Sequence, residues 1–212
     1  MRETILLIAV CVLSVFCPGA DAAEDAVPRR AWKHRPDLMR AGHAFWGPDA
    51  PTATFAAQVH AESRWRAGAL SPAGAEGMAQ FMPATARWIA GQYPHLAREA
   101  GQGPYNPGWA LRALVTYDRH LWDRVEADNP CDRMAKTLAA YNGGLGWVRR
   151  DEALARQRGL DDGLWFDAAE TVNAGRSASA KRENRAYPRT ILLRLEPLYI
   201  RAGFGGGMCH EQ

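Results

Sequence analysis

Residues 55–65 read Phe55-Ala56-Ala57-Gln58-Val59-His60-Ala61-Glu62-Ser63-Arg64-Trp65, and residues 71–83 read Ser71-Pro72-Ala73-Gly74-Ala75-Glu76-Gly77-Met78-Ala79-Gln80-Phe81-Met82-Pro83. Phe55, Ala56 and Val59 recur at a spacing of three to four. That spacing predicts a helix capped by Thr52 or Thr54 and running to about Ser63 or Arg64. Gly68, Ser71-Pro72 and Gly74 are loop chemistry. Pro83, favoured in a first turn, opens a second helix through Ala86, Ile89 and Ala90 to Gly91. This helix, glycine-rich loop and helix put Glu62 where the first helix ends, between Val59 and Trp65, and partial burial of its carboxyl follows from that position.

Outward from there the chain stays helical. Trp109, Leu111, Leu114, Tyr117, Leu121 and Val125 form an apolar stripe with Arg112, Arg119 and Arg124 between its members. Asp132 is expected to cap the next helix, which carries Met134, Ala135, Leu138 and Ala139 to Tyr141 before Gly143-Gly144 stops it. Residues 150–175 read as one or two short helices broken by Gly159 and Gly163. Residues 191–200 are apolar and helical, with an interruption at Pro197. Residues 23–50 hold Pro28, Pro36, Pro48 and a basic cluster (Arg29, Arg30, Lys33, His34, Arg35), and read as an irregular N-terminal arm. Residues 203–207 read as a flexible lead to Cys209. No stretch alternates apolar and polar residues for long enough to make a strand, so the fold class is mainly α. One domain over residues 51–200 accounts for the pattern.

Of the 212 residues, Met1 to Ala22 has the charged start, short apolar run and Ala20-Asp21-Ala22 end of a secretory signal peptide. The apolar run, about a dozen residues, is too short to cross a bilayer that takes roughly 20, and no later run approaches that length. The expected location is the periplasm, without stable membrane insertion. Cys17 would be the modified residue of a lipoprotein, but bulky Phe16 stands before it where small residues are wanted. Losing Arg2, Glu3 and Asp21 moves the net charge from +3 to +4, a weak preference for anionic polymers. Charged residues at 23% and hydrophobic ones at 47% exclude a disordered, collagenous or coiled-coil chain. After the leader is removed, Cys131 and Cys209 remain as an even pair. In an oxidising compartment they predict a disulfide, with two buried thiols as the alternative.

Four segments occur in an order that carries chemistry: Ala61-Glu62-Ser63-Arg64-Trp65; Ser71 to Pro83; Ala140-Tyr141-Asn142-Gly143-Gly144; and Glu183-Asn184-Arg185-Ala186-Tyr187. At these residues the chain resembles the soluble lytic transglycosylases, relatives of goose-type lysozyme. Their pattern is Glu-Ser, Ser-Pro-x-Gly-Ala with Gly-Leu-Met-Gln and a following Met-Pro, Ala-Tyr-Asn, and Glu-Thr-Arg-x-Tyr. The resemblance covers about residues 50–200 and implies a lysozyme-like fold with a substrate cleft between helical parts. It also implies murein glycan strands as substrate and Glu62 as the single general acid and base, with no metal and no cofactor. Ser63, Gln80, Tyr141 and Asn142 would line the sugar site, with Met78 in the leucine position of Gly-Leu-Met-Gln. Glu183 and Tyr187 match the last motif, but Pro188 replaces its valine. If Pro188 starts the final helix, Glu183 lies in a loop.

The physical reading of Glu62 points the same way, because a glycosidic oxygen leaves only once protonated and a buried carboxyl keeps its proton near neutral pH. Glu76, Asp118 and Asp132 stand as candidates for an assisting second carboxylate. Other readings are a hydrolytic muramidase and a non-catalytic wall-binding module. His60-Ala61-Glu62 with Pro130-Cys131 imitates a zinc deaminase signature, but Met134 stands where its second cysteine belongs. Scattered basic residues without a recognised motif argue against nucleic acid. General wall turnover and local opening of murein for a secretion, conjugation or phage-like assembly both suit a single-module enzyme.

Overall fold

The computed structural model describes residues 26–97 and 103–210. The expected signal peptide, with Cys11 and Cys17, lies outside them. Nine α-helices carry the described residues: α1 Arg29–Trp46, α2 Thr52–Ser63, α3 Pro83–Gln92, α4 Pro94–Ala97, α5 Pro107–Trp122, α6 Pro130–Gly143, α7 Leu145–Gln157, α8 Ala178–Pro188 and α9 Glu196–Arg201. A π-helical stretch, Arg189–Leu195, joins α8 to α9. The only extended pairing among the described residues is two isolated bridges, Leu70 with Glu76 and Glu76 with Phe81.

Local chemistry explains several starts. Pro83, Pro107 and Pro130 each occupy a first turn, where the missing N–H costs nothing. The Asn106 side chain accepts from Trp109 N at 2.9 Å, and Ser177 accepts from Ala180 N at 3.2 Å. The cap of α6 is Asn129, which accepts from Asp132 N at 2.9 Å, and not Asp132 as expected. Asp132 instead accepts from Trp165 N and Phe166 N at 2.8 and 2.9 Å, fixing the turn after α7. Neither threonine caps α2. Thr52 Oγ1 donates to Ala50 O at 3.2 Å and Thr54 Oγ1 to Glu196 Oε2 at 2.5 Å.

The centre of the molecule is α2. Every residue from Thr52 to His60 is buried, and the helix meets solvent only in its last turn, at Ala61 and Glu62. Ala53, Ala56 and Ala57 let α1, α9 and the π-helical stretch approach it closely. The apolar stripe expected on α5 is present, with Trp109, Leu111, Leu114 and Leu121 in the core.

The N-terminal arm is not irregular. Residues 29–46 form a helix despite Pro36, because Ala31, Leu38, Ala41 and Gly42 make a buried face against α2 and α5. Of the basic cluster that suggested an open segment, Arg29, Arg30 and Lys33 face outward, whereas Arg35 donates to Gly203 O and lies over the Phe204 ring, and His34 stacks on Trp65. Packing of the apolar face outweighs the one ladder bond that proline removes. Trp46 Nε1 adds a bond to Val115 O at 2.9 Å.

The glycine-rich tail is likewise anchored. Phe204 is fully buried against Tyr199, with ring centroids 4.9 Å apart, and Gly206 O accepts from Ala53 N at 3.0 Å. Buried Glu196 accepts from the backbone N–H groups of Met208, Cys209 and His210 at 2.9–3.0 Å. A Cβ on Gly207 would lie 2.4 Å from Glu196 Cδ, so only glycine lets the tail pass the carboxylate. Cys209 closes the expected disulfide with Cys131, at a Cα separation of 4.6 Å. In the chain-entropy view a loop of this size contributes on the order of 4 kcal/mol. Cys131→Ser is therefore expected to lower urea-unfolding stability by up to about that amount. An effect below about 1 kcal/mol would show that the Glu196 clamp alone holds the tail.

Candidate functional site

Glu62 sits on the last turn of α2, one residue before its end. Arg64 takes the left-handed conformation with φ 52° and donates its N–H to His60 O at 2.8 Å, and Trp65 follows at φ 65°. Two consecutive residues of this kind turn the chain sharply away, so Glu62 faces the groups of α6 and α8. Ser63 is buried. Its hydroxyl donates to Met78 O at 2.8 Å and receives Arg66 N at 3.1 Å. It therefore ties the loop to the helix, and its polar capacity is used inside the protein.

The loop from residue 66 to residue 82 is held by its own backbone. Glu76 and Phe81 exchange both hydrogen bonds, at 2.9 and 3.0 Å, and Gly77 N donates to Ala69 O at 2.8 Å. Gly77 has φ 72°, and a Cβ there would meet Pro104 O at 1.8 Å, which makes glycine obligatory. Met78 and Ala79 are fully buried, so the Met78 side chain belongs to the core and not to a sugar surface. Gln80 is half-buried at φ 48°, with Nε2 on Gly77 O at 2.7 Å. The loop reaches the acid's neighbour directly, because Tyr141 Oη donates to Ala79 O at 2.8 Å.

Glu62 lies among hydroxyl and carboxyl groups. Tyr187 Oη donates to Glu62 Oε1. Burial is the largest influence on the carboxyl and pushes it up to about 8. The Tyr187 bond opposes this and the nearby Glu183 charge adds to it. Burial first, then the Glu62 charge, pushes the Tyr141 and Tyr187 hydroxyls well up, so both remain hydrogen-bond donors. Glu183 is not in a loop. The helix α8 runs through it to Pro188, and the chain widens into the π-helical stretch directly after the proline, where a ladder bond is missing. Burial also raises the Glu183 carboxyl, against a bond from Asn142.

A buried network fixes the polar edge of the site. Asn142 Nδ2 approaches Glu183 Oε1 at 3.4 Å, and Asn142 Oδ1 accepts from Asn184 Nδ2 at 3.1 Å. Asn184 Oδ1 accepts from Arg176 Nη1 and Arg185 Nη1, both at 2.6 Å. Both guanidiniums pair with Asp151 Oδ2, at 3.1 and 2.7 Å, and Asp151 is completely buried. The Asn142 amide therefore has one orientation, carbonyl inward and N–H toward Glu183.

The structure thus gathers Glu62, Tyr141, Asn142 and Glu183, with Gln80 at the adjoining loop, and places Ser63 and Met78 behind them. The bond from Tyr187 to Glu62 and the network of Asp151, Arg176, Arg185 and Asn184 add to the sequence reading, in which Tyr187 matched the last motif with no contact assigned to it. Asp132 stands near the start of α6, nine residues and about 13 Å of helix from Tyr141, so it serves structure. Asp118 is fully buried and out of a substrate's reach. The zinc imitation is not assembled: Cys131 is in the disulfide and His60 Nδ1 lies 3.1 Å from Tyr199 Oη.

Fold and site together define a lysozyme-like helical body with the Glu62 carboxyl, pushed up by burial to about 8, at the end of its central helix. The family model for the Transglycosylase SLT domain matches residues 42–163, more than half of the chain, and the chain belongs to that family. It is similar to the membrane-bound lytic murein transglycosylase F of Hahella chejuensis, 27% identical over 155 residues, which are 73% of this chain and 28% of the relative. The protein of that name from Marinobacter nauticus is 31% identical over 116 residues, 55% of this chain and 21% of its own. Among solved structures the 70 kDa soluble lytic transglycosylase of Escherichia coli shares the fold. Its TM-score is 0.57 at 22% identity, over 85% of this chain and 27% of that one. The chain spans about a quarter of the length of these curated relatives. Glu62, Gln80, Tyr141 and Asn142 lie within the matched segment, whereas Glu183 and Tyr187 come from α8 beyond it.

Proposed function

We propose that this chain is a lytic transglycosylase acting on murein glycan strands. The observation that carries the reading is the Glu62 carboxyl at the end of α2, held by the Tyr187 hydroxyl at Oε1 in surroundings whose burial pushes it up to about 8, which favours the protonated acid at neutral pH. Tyr187 occupies one carboxyl oxygen, so the proton is carried on Oε2. Glu62 gives it to the glycosidic oxygen between N-acetylmuramic acid and N-acetylglucosamine, and the C1–O bond breaks. The substrate's acetamido oxygen steadies the positive charge at C1. The Glu62 carboxylate then takes the proton of the muramyl 6-hydroxyl, whose oxygen bonds to C1. The acid is restored, no water is consumed, and a 1,6-anhydromuramyl end results. A hydroxyl on the same sugar has the effective concentration to outrun water. Gln80, Tyr141, Asn142 and Glu183 offer donors and acceptors to the acetamido and hydroxyl groups of the strand.

The family match and the names of the relatives support this substrate. Murein as the substrate goes with a periplasmic location, to be reached through the signal peptide expected at residues 1–22, and no described helix is long and apolar enough to cross a membrane. Within that setting, local opening of murein for an envelope-spanning assembly and general turnover are served by the same chemistry. The test is mass analysis of muropeptides released from purified sacculi. Anhydro ends, one water lighter than reducing ends, support the reading, and reducing ends alone assign the chain to hydrolysis.

The pH dependence follows from the same group. One residue acts as acid and then as base, so the rate needs only its protonated form at the start. The rate constant is expected to fall along a single alkaline limb with a midpoint near 8, the raised position of Glu62. A bell with a second, acidic limb between about pH 4 and 6, measured where the fold is intact, would indicate a second catalytic carboxylate.

A further inference from the structure

On α5, beneath the site, Asp118 is a carboxyl with no exposed surface, set into the apolar stripe between Leu114 and Leu121. Its one hydrogen bond comes from Gln58 Nε2, at 3.2 Å to Oδ1. Asp118 Oδ2 and Gln58 Oε1 are both buried, and neither has a hydrogen-bond partner among the described residues. Gln58 stands on α2 four residues before Glu62, so the two side chains share one face of the helix that carries the acid. Two buried acceptors left without a donor, on side chains that already share one hydrogen bond, are costly. A hydrogen on Asp118 Oδ2 removes the difficulty, because the acid then donates where the carboxylate could only accept, and Gln58 Oε1 is the acceptor in want of a donor. One neutral amide bond is also too little to hold a carboxylate that no water reaches.

We propose that Asp118 is a second, permanently protonated carboxyl group, a positioning residue that holds Gln58 and thereby the last turn of α2, and that its neutrality leaves Glu62 as the only member of the pair to become an anion during turnover. The titratable groups that interact with it are Glu62 on α2, Tyr117 on its own helix, Tyr141 on α6 and Tyr187 on α8, and Glu183 adds its charge at Glu62. None of them is a cation that could hold a charge at Asp118, and a Glu62 anion disfavours one. Burial, and then the Glu62 charge, push its carboxyl well above the ordinary range. Two adjoining carboxyls in a dry site do not both ionise. When Glu62 gives up its proton, a charged Asp118 would oppose the step, whereas a neutral one leaves the new anion to Tyr187.

The catalytic consequence rests on the role of Glu62 proposed above, but the protonation of Asp118 does not, and the experiment separates the two. Infrared spectra of protein labelled with carbon-13 at the aspartate carboxyl should show one protonated aspartate band that persists from about pH 6 to about pH 9 and is absent from Asp118→Asn. Asp118→Leu should lower kcat about tenfold or more with KM little changed, since it leaves the whole Gln58 amide unpartnered. Asp118→Asn, which can both donate and accept, should rescue most of that loss and keep the alkaline limb within about half a pH unit. Absence of the labelled band in the wild-type protein overturns the inference. So does an Asp118→Asn limb lowered by about one unit or more, the sign of a charged neighbour now removed. A band present in a protein that cleaves no murein would sustain the inference and remove the function proposed for Glu62.

Discussion

Glu62→Gln is expected to reduce murein cleavage by about a thousandfold or more, the upper part of the range for a lost general acid. The amide keeps the shape and can still receive the Tyr187 hydroxyl, so sacculus binding should persist. What is lost is the only transferable proton, needed in both halves of the reaction. Stability should move in the opposite direction. The folded protein holds a proton at Glu62 up to a pH of about 8, whereas an unfolded glutamate loses it near 4.5. Between those values the unfolded state binds fewer protons, so stability falls as pH rises through that window and the lost increment stays lost above it. A glutamine removes the dependence. The variant's melting temperature at pH 8 should equal or exceed the wild-type value, while at about pH 4 the two should converge. Residual cleavage within tenfold of wild type would remove Glu62 from the mechanism.

Asp151→Ala is the second large effect. It leaves Arg176 and Arg185 buried with no counter-ion, and breaking a buried pair in this way costs about 3–5 kcal/mol. The consequence extends to the site, because both guanidiniums also hold Asn184, which orients Asn142 toward Glu183. Urea unfolding should report the loss of stability, and any folded fraction should show a raised KM for glycan strands. Asp151→Asn keeps the acceptor but not the charge and should fall between the two. A loss below about 1 kcal/mol would mean that solvent reaches the arginines when the carboxylate is removed.

How far the site could be read from sequence depended on how local its determinants are. The end of α2 and the loop after it are short-range chemistry: small residues, glycines with positive φ and a first-turn proline lie within 32 residues, from Thr52 to Pro83. Glu62, Gln80, Tyr141 and Asn142 follow from motifs carried on such segments. Ser63 and Met78 have the right spacing, but spacing does not say which way a side chain faces, and both face inward. Pro28 and Pro36 suggested an open arm because proline's local cost is visible in the chain, whereas the face that α1 buries is a property of its partners. The same holds for Pro188, after which α8 passes into a wider helix and does not break. Asp151 and Arg176 meet Asn184 and Arg185 across as many as 34 positions, and the motif that carries Asn184 and Arg185 does not announce that meeting. Asp118 did carry a signal. Leu111, Leu114, Asp118 and Leu121 follow one helical stripe, and an acid in that row is either paired or protonated.

The most direct measurement is a carbon-13 titration of the Glu62 carboxyl in the intact protein, assigned by the signal that disappears in Glu62→Gln. A midpoint near 8 is the predicted result. A midpoint near the ordinary glutamate value of 4.5 would leave Glu62 charged at neutral pH, with no proton to give the glycosidic oxygen, and would contradict the mechanism at its first step.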